Sequence, residues 1–326
     1  MLDLRQSKHW GNFIARKGWL SFPLENGDIA FIKKLGIFGS IIKIQRPSNY
    51  PTNNDIQKLL KFKPLFIKIE PSLDTKGVLP DKFNFMVDTW PLIPTKTRII
   101  TLDKDIEEIL ANSTKDVRQS LKKTKIKVNL YKGTDSQINK RLLSFSKGYN
   151  LMAKKQKIGG KGSKELIELK DSFGDKFYLF EGEYNGKTNS GAIVLGAGKD
   201  NAFYMFAYTN SIGRKTYGSY KVLFEVIKKL KEDGYKTFDL EGVEDKRFPK
   251  ETGRWGGFTI FKNKWDGKTV TYSKPYIIYF NKILKAVFIF STIGENAIDG
   301  VANSAKENAH VDYVKTMIRA RKGRSK

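Results

Sequence analysis

Cysteine is absent from this 326-residue chain, which excludes disulfides, a thiolate nucleophile and a cysteine-ligated metal. Histidine occurs only at His9 and His310, which argues against a Ser-His-Asp arrangement or a multi-histidine metal site. Whatever chemistry the chain performs has to run on Lys, Arg, Tyr, carboxylates and backbone. No run approaches the ~18 apolar residues of a membrane-spanning helix, and the N-terminus lacks the apolar core of a secretory leader. The expected location is cytoplasmic, with peripheral contact at the inner membrane surface left open. Acidic residues are scarce too: 34 Asp+Glu face 60 Lys+Arg, for a net charge of +26. Such a surplus suits a polyanionic partner such as RNA, an anionic membrane surface or a phosphorylated substrate. Lysines spread along the chain suit a generally basic surface equally well.

What is present describes a globular protein. Hydrophobic residues make up 40% and aromatics 13%, and the length corresponds to about two domains. The first 97 residues read as one α/β unit. A helix from Ser7 to Ile14 puts Trp10, Phe13 and Ile14 on one face. Strand-like runs follow at Asp28–Lys34, Ile41–Gln45 and Leu65–Glu70, with a short helix near Asp55–Phe62. The two prolines of Trp90-Pro-Leu-Ile-Pro suit a linker. A second unit opens with the strand Arg98–Leu102 and a helix from Asp103 or Asp105 to about Thr124, then returns as the strand Lys127–Tyr131. Helices are expected near Asp135–Lys155 and Ser163–Phe173. Three antiparallel strands follow at Lys176–Tyr184, Ser190–Gly196 and Ala202–Thr209, the first two joined by an Asn185–Gly186 hairpin turn.

The densest signal runs from Tyr217 to Lys268. Val222, Phe224, Val226, Ile227 and Leu230 recur at helical spacing, Gly234 stops the helix, and Thr237–Leu240 reads as a short buried strand. A Gly-rich segment then delivers Phe261–Lys262, and Trp265-Asp266-Gly267 forms a turn. This order resembles the C-terminal half of the FemABX peptidyltransferases, which use aminoacyl-tRNA to build the interpeptide bridge of peptidoglycan. Members of that family carry an aromatic-rich helix, a YDLGG-like strand and an FK pair before a Gly turn. The similarity extends to Gln6-Ser7-Lys8-His9-Trp10-Gly11 and covers about residues 6–280.

The resemblance implies an α/β fold of two tandem GNAT-like acyltransferase domains with mixed central sheets. Domain 1 would span 1–97, completed by about 271–300, domain 2 would span 98–270, and 301–326 would be a basic C-terminal tail. The apolar segment from Pro275 would return to pack on the first domain, with an amphipathic membrane-surface helix as the competing reading.

It also implies roles for individual residues. Arg16, or Lys17 beside it, would contact nucleotide phosphates of the acceptor, against the equally open reading of an exposed helix-end cation. Glu70, in Ile-Lys-Ile-Glu-Pro, would be a general base, against the plainer reading of a strand-end carboxylate paired with Lys68 or another lysine. Lys161, in a Gly-rich loop, takes the place of a phosphate-binding arginine, and a flexible loop is its plain alternative. Tyr204, Tyr217 and Phe261 would contact substrate; Tyr204 fits a family tyrosine, whereas Phe206 stands where other members have a second one, and both could equally be plain core residues of a strand. Tyr217 fills the turn where CoA-dependent relatives have a Gly-rich pyrophosphate loop. Lys262, following Phe261 on a strand, would point into the donor–acceptor junction and stabilise an oxyanion or hold tRNA phosphates. Lys115, Arg118, Lys122 and Lys125 form a basic stripe suited to a tRNA backbone or to solvent.

The expected function is therefore transfer of an amino acid from aminoacyl-tRNA to an amine of a UDP-linked or lipid-linked peptidoglycan precursor, with no metal or organic cofactor implied. Two rivals stand beside it. One is an acyl-CoA-dependent GNAT-like N-acyltransferase; the other is a non-catalytic basic module that binds RNA or membrane.

Overall fold

Two mixed sheets with helices against them organise the chain, and a computed structural model describes residues 2–281 and 285. The first part contains α1 (Lys8–Arg16), β1 (Leu20–Pro23), β2 (Ile29–Lys34), β3 (Ser40–Gln45), α2 (Asn53–Leu60), β4 (Pro64–Glu70) and β5 (Met86–Val87). The second part begins with β6 (Lys96–Thr101), α3 (Ile106–Asn112), α4 (Lys115–Lys123), β7 (Lys127–Lys132), α5 (Ile138–Gln156) and α6 (Ser163–Phe173). It continues through β8 (Phe177–Tyr184), β9 (Lys187–Ala197), β10 (Asn201–Thr209), α7 (Ser211–Lys215), α8 (Gly218–Glu232) and β11 (Thr237–Gly242). Last come α9 (Pro249–Thr252), α10 (Gly256–Asn263), β12 (Lys268–Thr271) and β13 (Tyr276–Tyr279).

Local chemistry explains most of the boundaries. The Ser7 hydroxyl accepts from the Trp10 amide, 3.1 Å, and starts α1. Thr52 and Asp55 form a reciprocal capping box for α2. Asn185 and Gly186 both take positive φ, 50° and 72°, which a two-residue hairpin turn between β8 and β9 requires. The single helix expected from Asp103 or Asp105 to Thr124 is instead two, α3 and α4. The Ser113 hydroxyl donates to the Ile109 carbonyl, 2.7 Å, and Ser113 itself is extended, ψ 159°. Thr114 then sends its amide to the Lys264 carbonyl, 2.8 Å, so the break ties this segment to the end of α10.

The first sheet has the order β1-β2-β3-β4-β13-β5 and the second β12-β6-β11-β10-β9-β8-β7. Both mix parallel and antiparallel neighbours: β3–β4 and β10–β11 are the parallel pairs. One face of the second sheet packs on α5 and α6, with Phe145, Leu166, Phe173, Phe177 and Phe203 in the core. Helix α1, although it precedes the first sheet, belongs to this layer, with Trp10, Phe13 and Ile14 in the same cluster. The other face packs on α3, α4 and α8 through Ile109, Val117, Val222, Val226 and Leu230. The first sheet buries Ile32, Ile42, Ile44, Ile67 and Ile69 against Ile56 and Leu59 of α2. Strand β13 returns to this sheet, antiparallel to both β4 and β5. The apolar run after Asn281 and the basic tail 301–326 lie outside the described residues. No helix among the described residues is long and apolar enough to cross a membrane.

Candidate active site

Strands β10 and β11 run side by side only briefly. Asn201, Ala202 and Phe203 pair with Thr237, Phe238 and Asp239; beyond that β10 stays with β9 while β11 stays with β6. Each strand carries an irregularity at the parting, between Tyr204 and Phe206 on β10 and between Asp239 and Gly242 on β11. Bulges of this kind re-aim side chains. On β10 the bulge sends Tyr204 into the α8-side core and Phe206 to the α5 side, although period-2 spacing would put both on one face. On β11 Glu241 adopts a left-handed backbone, φ 60°, costly for a residue with a side chain.

That strained turn carries two successive carbonyls to one cation. The Lys262 ammonium, on α10, donates to the Gly242 carbonyl at 2.7 Å and the Glu241 carbonyl at 3.3 Å. Burial lowers its pKa to about 8, against the opposing pull of Glu241 and Asp239. Gly242 has no side chain to spare here, since a Cβ would fall 2.4 Å from the Trp255 ring. Arg5, from the N-terminal segment, donates to one Glu241 carboxylate oxygen at 2.9 Å and lies 2.8 Å from the other. It also lies 3.5 Å from Asp3. Its pKa is raised, the carboxylates of Glu241 and Asp3 outweighing its burial. Arg46, at the end of β3, stacks over Tyr272 at 3.4 Å and bridges Pro71 and Pro94.

Asp239 completes the group. Its carboxylate accepts from the Thr97 hydroxyl and, at 2.6 Å, from the Glu241 amide. Burial first, and then repulsion from Glu241, pushes its pKa from 3.8 up to about 7. A carboxyl with a raised pKa stabilises the fold fully below its unfolded value, and that contribution is lost as pH rises through the folded value. Asp239 is therefore expected to make stability fall between pH about 4 and about 7. Asp239→Asn keeps an acceptor for Thr97 and Glu241, so it should flatten that fall; urea unfolding at stepped pH reads the difference.

The residues singled out in the sequence divide into several groups. Lys262 sits at the parting, but on a helix rather than the expected strand. Lys161 and Phe206 come together: the ammonium lies 5.2 Å from the ring centroid and pairs with Glu165 at 2.9 Å. The same loop is tied to the segment before α10, where Arg254 donates to the Lys157 carbonyl, 3.0 Å. Tyr217 is the residue before α8, left-handed at φ 60°, with its ring against Tyr220.

Other placements follow the plainer alternatives. Tyr204 is a core residue, edge-on to Phe238. Phe261 packs edge-on to Tyr220, whose ring stacks with Trp265, so it wedges α10 in place. Glu70 is not paired with Lys68, which makes a buried 2.7 Å ion pair with Asp88. Its oxygens accept from the amides of Leu92 and Ile93, 2.7 and 3.0 Å, and from the Gln45 side chain, 2.8 Å. Those neutral donors tie one Glu70 oxygen to the Trp90–Pro94 linker and the other to Gln45. Arg118 is not part of an open stripe: its guanidinium caps α3 through the carbonyls of Leu110, Ala111 and Ser113. Lys115 and Lys122 are exposed on α4, and Lys125 lies past its end. Arg16 is exposed at the end of α1, and neighbouring Lys17 pairs with Glu168 of α6.

Asp3, Arg5, Asp239 and Glu241 were missed in the sequence. A signal existed for two of them: Phe238 and Leu240 fill the α8-side core, so the alternating acids had to face the other way. Among the described residues no group of three or more carboxylates or histidines is placed to hold a metal ion.

No family model and no curated protein matches the chain. Solved structures do. FemX superposes with a TM-score of 0.66 at 15% identity, over 87% of this chain and 94% of that one. A C-terminal domain ascribed to a lysylphosphatidylglycerol synthetase of Agrobacterium fabrum gives 0.56 at 13% identity, covering 91% and 96%. A conserved protein of unknown function from Bacteroides thetaiotaomicron gives 0.54 at 12%, covering 86% and 93%. The chain therefore has the FemX-like α/β fold over nearly its whole described length.

Proposed function

We propose that this protein is an aminoacyltransferase that moves an amino acid from aminoacyl-tRNA to an amine of a peptidoglycan precursor stem peptide. The observation that carries this reading is the half-buried Lys262 ammonium held by two backbone carbonyls where β10 and β11 part. The FemX-like fold supports it, because the resemblance in sequence order and the likeness in three dimensions point to the same relatives. In the reaction the acceptor nitrogen bonds to the ester carbonyl carbon and the carbon–oxygen bond to the ribose breaks. The amine's proton ends on the departing hydroxyl, so no covalent enzyme intermediate is needed. Negative charge builds on the carbonyl oxygen in between, and a preplaced cation in a dry site stabilises it. Lys262 has that role, with Arg5 and Glu241 fixing its cradle. Lys161 and Tyr217 flank the substrate, and Lys115 and Lys122 meet the tRNA backbone.

The acyl-CoA alternative has less support. The start of α8, where a pyrophosphate would sit, is occupied by left-handed Tyr217 and its ring contact with Tyr220 rather than a run of glycines. A thiol-release assay with acetyl-CoA and an amine acceptor separates the two. No thiol above background is expected, and release that depends on Lys262 would overturn the tRNA reading.

A further inference from the structure

An apolar tip projects from the first sheet with no described residue covering it. Between β2 and β3, Ile37 is 89% exposed and Phe38 37%. The tip is fixed in place: Gly36 and Gly39 have φ 63° and 96°, and a Cβ on Gly39 would fall 2.2 Å from the Lys63 carbonyl. The Ser40 amide donates to that same carbonyl at 3.0 Å, which seats the tip against the Lys61–Lys63 turn. Lys34, Lys61 and Lys63 are all exposed around it. No Asp or Glu occurs from Ile29 to Ile44 or from Ile56 to Ile69. The segment after β13 also reaches this end of the sheet, where the amides of Phe280 and Asn281 both donate to the Leu65 carbonyl, 2.9 and 3.4 Å. The sequence that follows, from 282 to 290, is Lys-Ile-Leu-Lys-Ala-Val-Phe-Ile-Phe, again without an acid.

We propose that this end of the first sheet docks on an anionic lipid bilayer, with Ile37 and Phe38 entering the interface and Lys34, Lys61 and Lys63 meeting lipid phosphates. Two large side chains held out by a glycine-bounded turn gain nothing in water, and a lipid interface removes that apolar area from it. The lysines add attraction that an uncharged bilayer does not offer. Both terms converge on one spot, whereas an RNA backbone uses only the second. Strand β3 carries the chain six residues from the tip to Arg46 at the candidate active site. At about 3.3 Å per residue that keeps the site within about 20 Å of the tip. The surface is independent of whether Lys262 handles an aminoacyl ester.

The test is cosedimentation of the full chain with phosphatidylcholine vesicles containing or lacking phosphatidylglycerol. Binding to the anionic vesicles alone is expected. Ile37→Ser with Phe38→Ser should weaken it about tenfold or more, and Lys34→Gln, Lys61→Gln and Lys63→Gln together about a hundredfold. Ile212→Ser, an exposed apolar site elsewhere, and Lys262→Met should bind as the wild type does. Circular dichroism confirms that each variant is folded. No binding by the wild type, or full binding by the Ile37/Phe38 variant, would overturn the proposal. Loss only in the lysine variant would do so too, and would point to a polyanion such as RNA.

Discussion

Lys262→Met is expected to lower aminoacyl transfer by about 10²–10³-fold, the usual effect of removing one preplaced group from a developing oxyanion. The same substitution should leave the fold no less stable at neutral pH, a combination that ordinary core damage does not produce. The ammonium is held in a site that lowers its pKa from 10.5 to about 8. A shift of that size costs the folded state at most about 3 kcal/mol while the lysine is protonated. Methionine keeps most of the stem and removes the charge, although it strands the carbonyls of Glu241 and Gly242, which offsets part of the gain. The sign with pH follows from a depressed folded value: the wild type recovers stability as pH rises from about 8 toward about 10.5. The advantage of the variant should therefore shrink across that window in thermal unfolding scans. A large loss of stability at neutral pH would show that Lys262 is a structural cation.

Arg5→Ala should be the most destabilising single change, by about 3–5 kcal/mol, because it leaves a buried carboxylate without its partner. The side chains of Arg5 and Glu241 are only 7% and 12% exposed and meet through two contacts. The loss also frees the left-handed Glu241, whose backbone holds the carbonyls against Lys262, so transfer should fall with stability. Replacing both partners, Arg5→Met with Glu241→Met, removes the stranded charge and should recover much of the stability in urea unfolding but not the activity. A change below about 1 kcal/mol for Arg5→Ala would mean that the pair is solvated in solution.

These two predictions rest on residues of very different legibility. The strands at Ile29–Lys34, Ser40–Gln45, Pro64–Glu70 and Asn201–Thr209 were readable because β-branched and aromatic runs end at glycine, proline or asparagine. Strand β1 was not: four residues ending in proline are enough for an edge position but give no periodic signal. Helix α10 was expected as a strand from the family resemblance, and Gly-Gly-Phe-Thr-Ile-Phe, poor in helix formers, gave no opposing signal. Packing of Phe261 on Tyr220 and of Lys262 on the end of β11 overrides that preference. Lys262 itself was found through its place in a motif. Its surroundings were not, since Arg5 and Glu241 stand 236 residues apart and no local pattern links them. Glu70 was picked out as an acid before a proline; the linker amides and the Gln45 side chain that it holds lie too far along the chain for any local pattern to show them.

The most direct measurement is transfer of a radiolabelled amino acid from charged tRNA to a lysine-containing stem peptide, on both nucleotide-linked and lipid-linked acceptors. Label should appear in the peptide with the wild-type protein and be almost absent with Lys262→Met under conditions where both are folded. Absence of transfer by the wild type across a panel of amino acids and both acceptors, or equal transfer by the two proteins, would contradict the account.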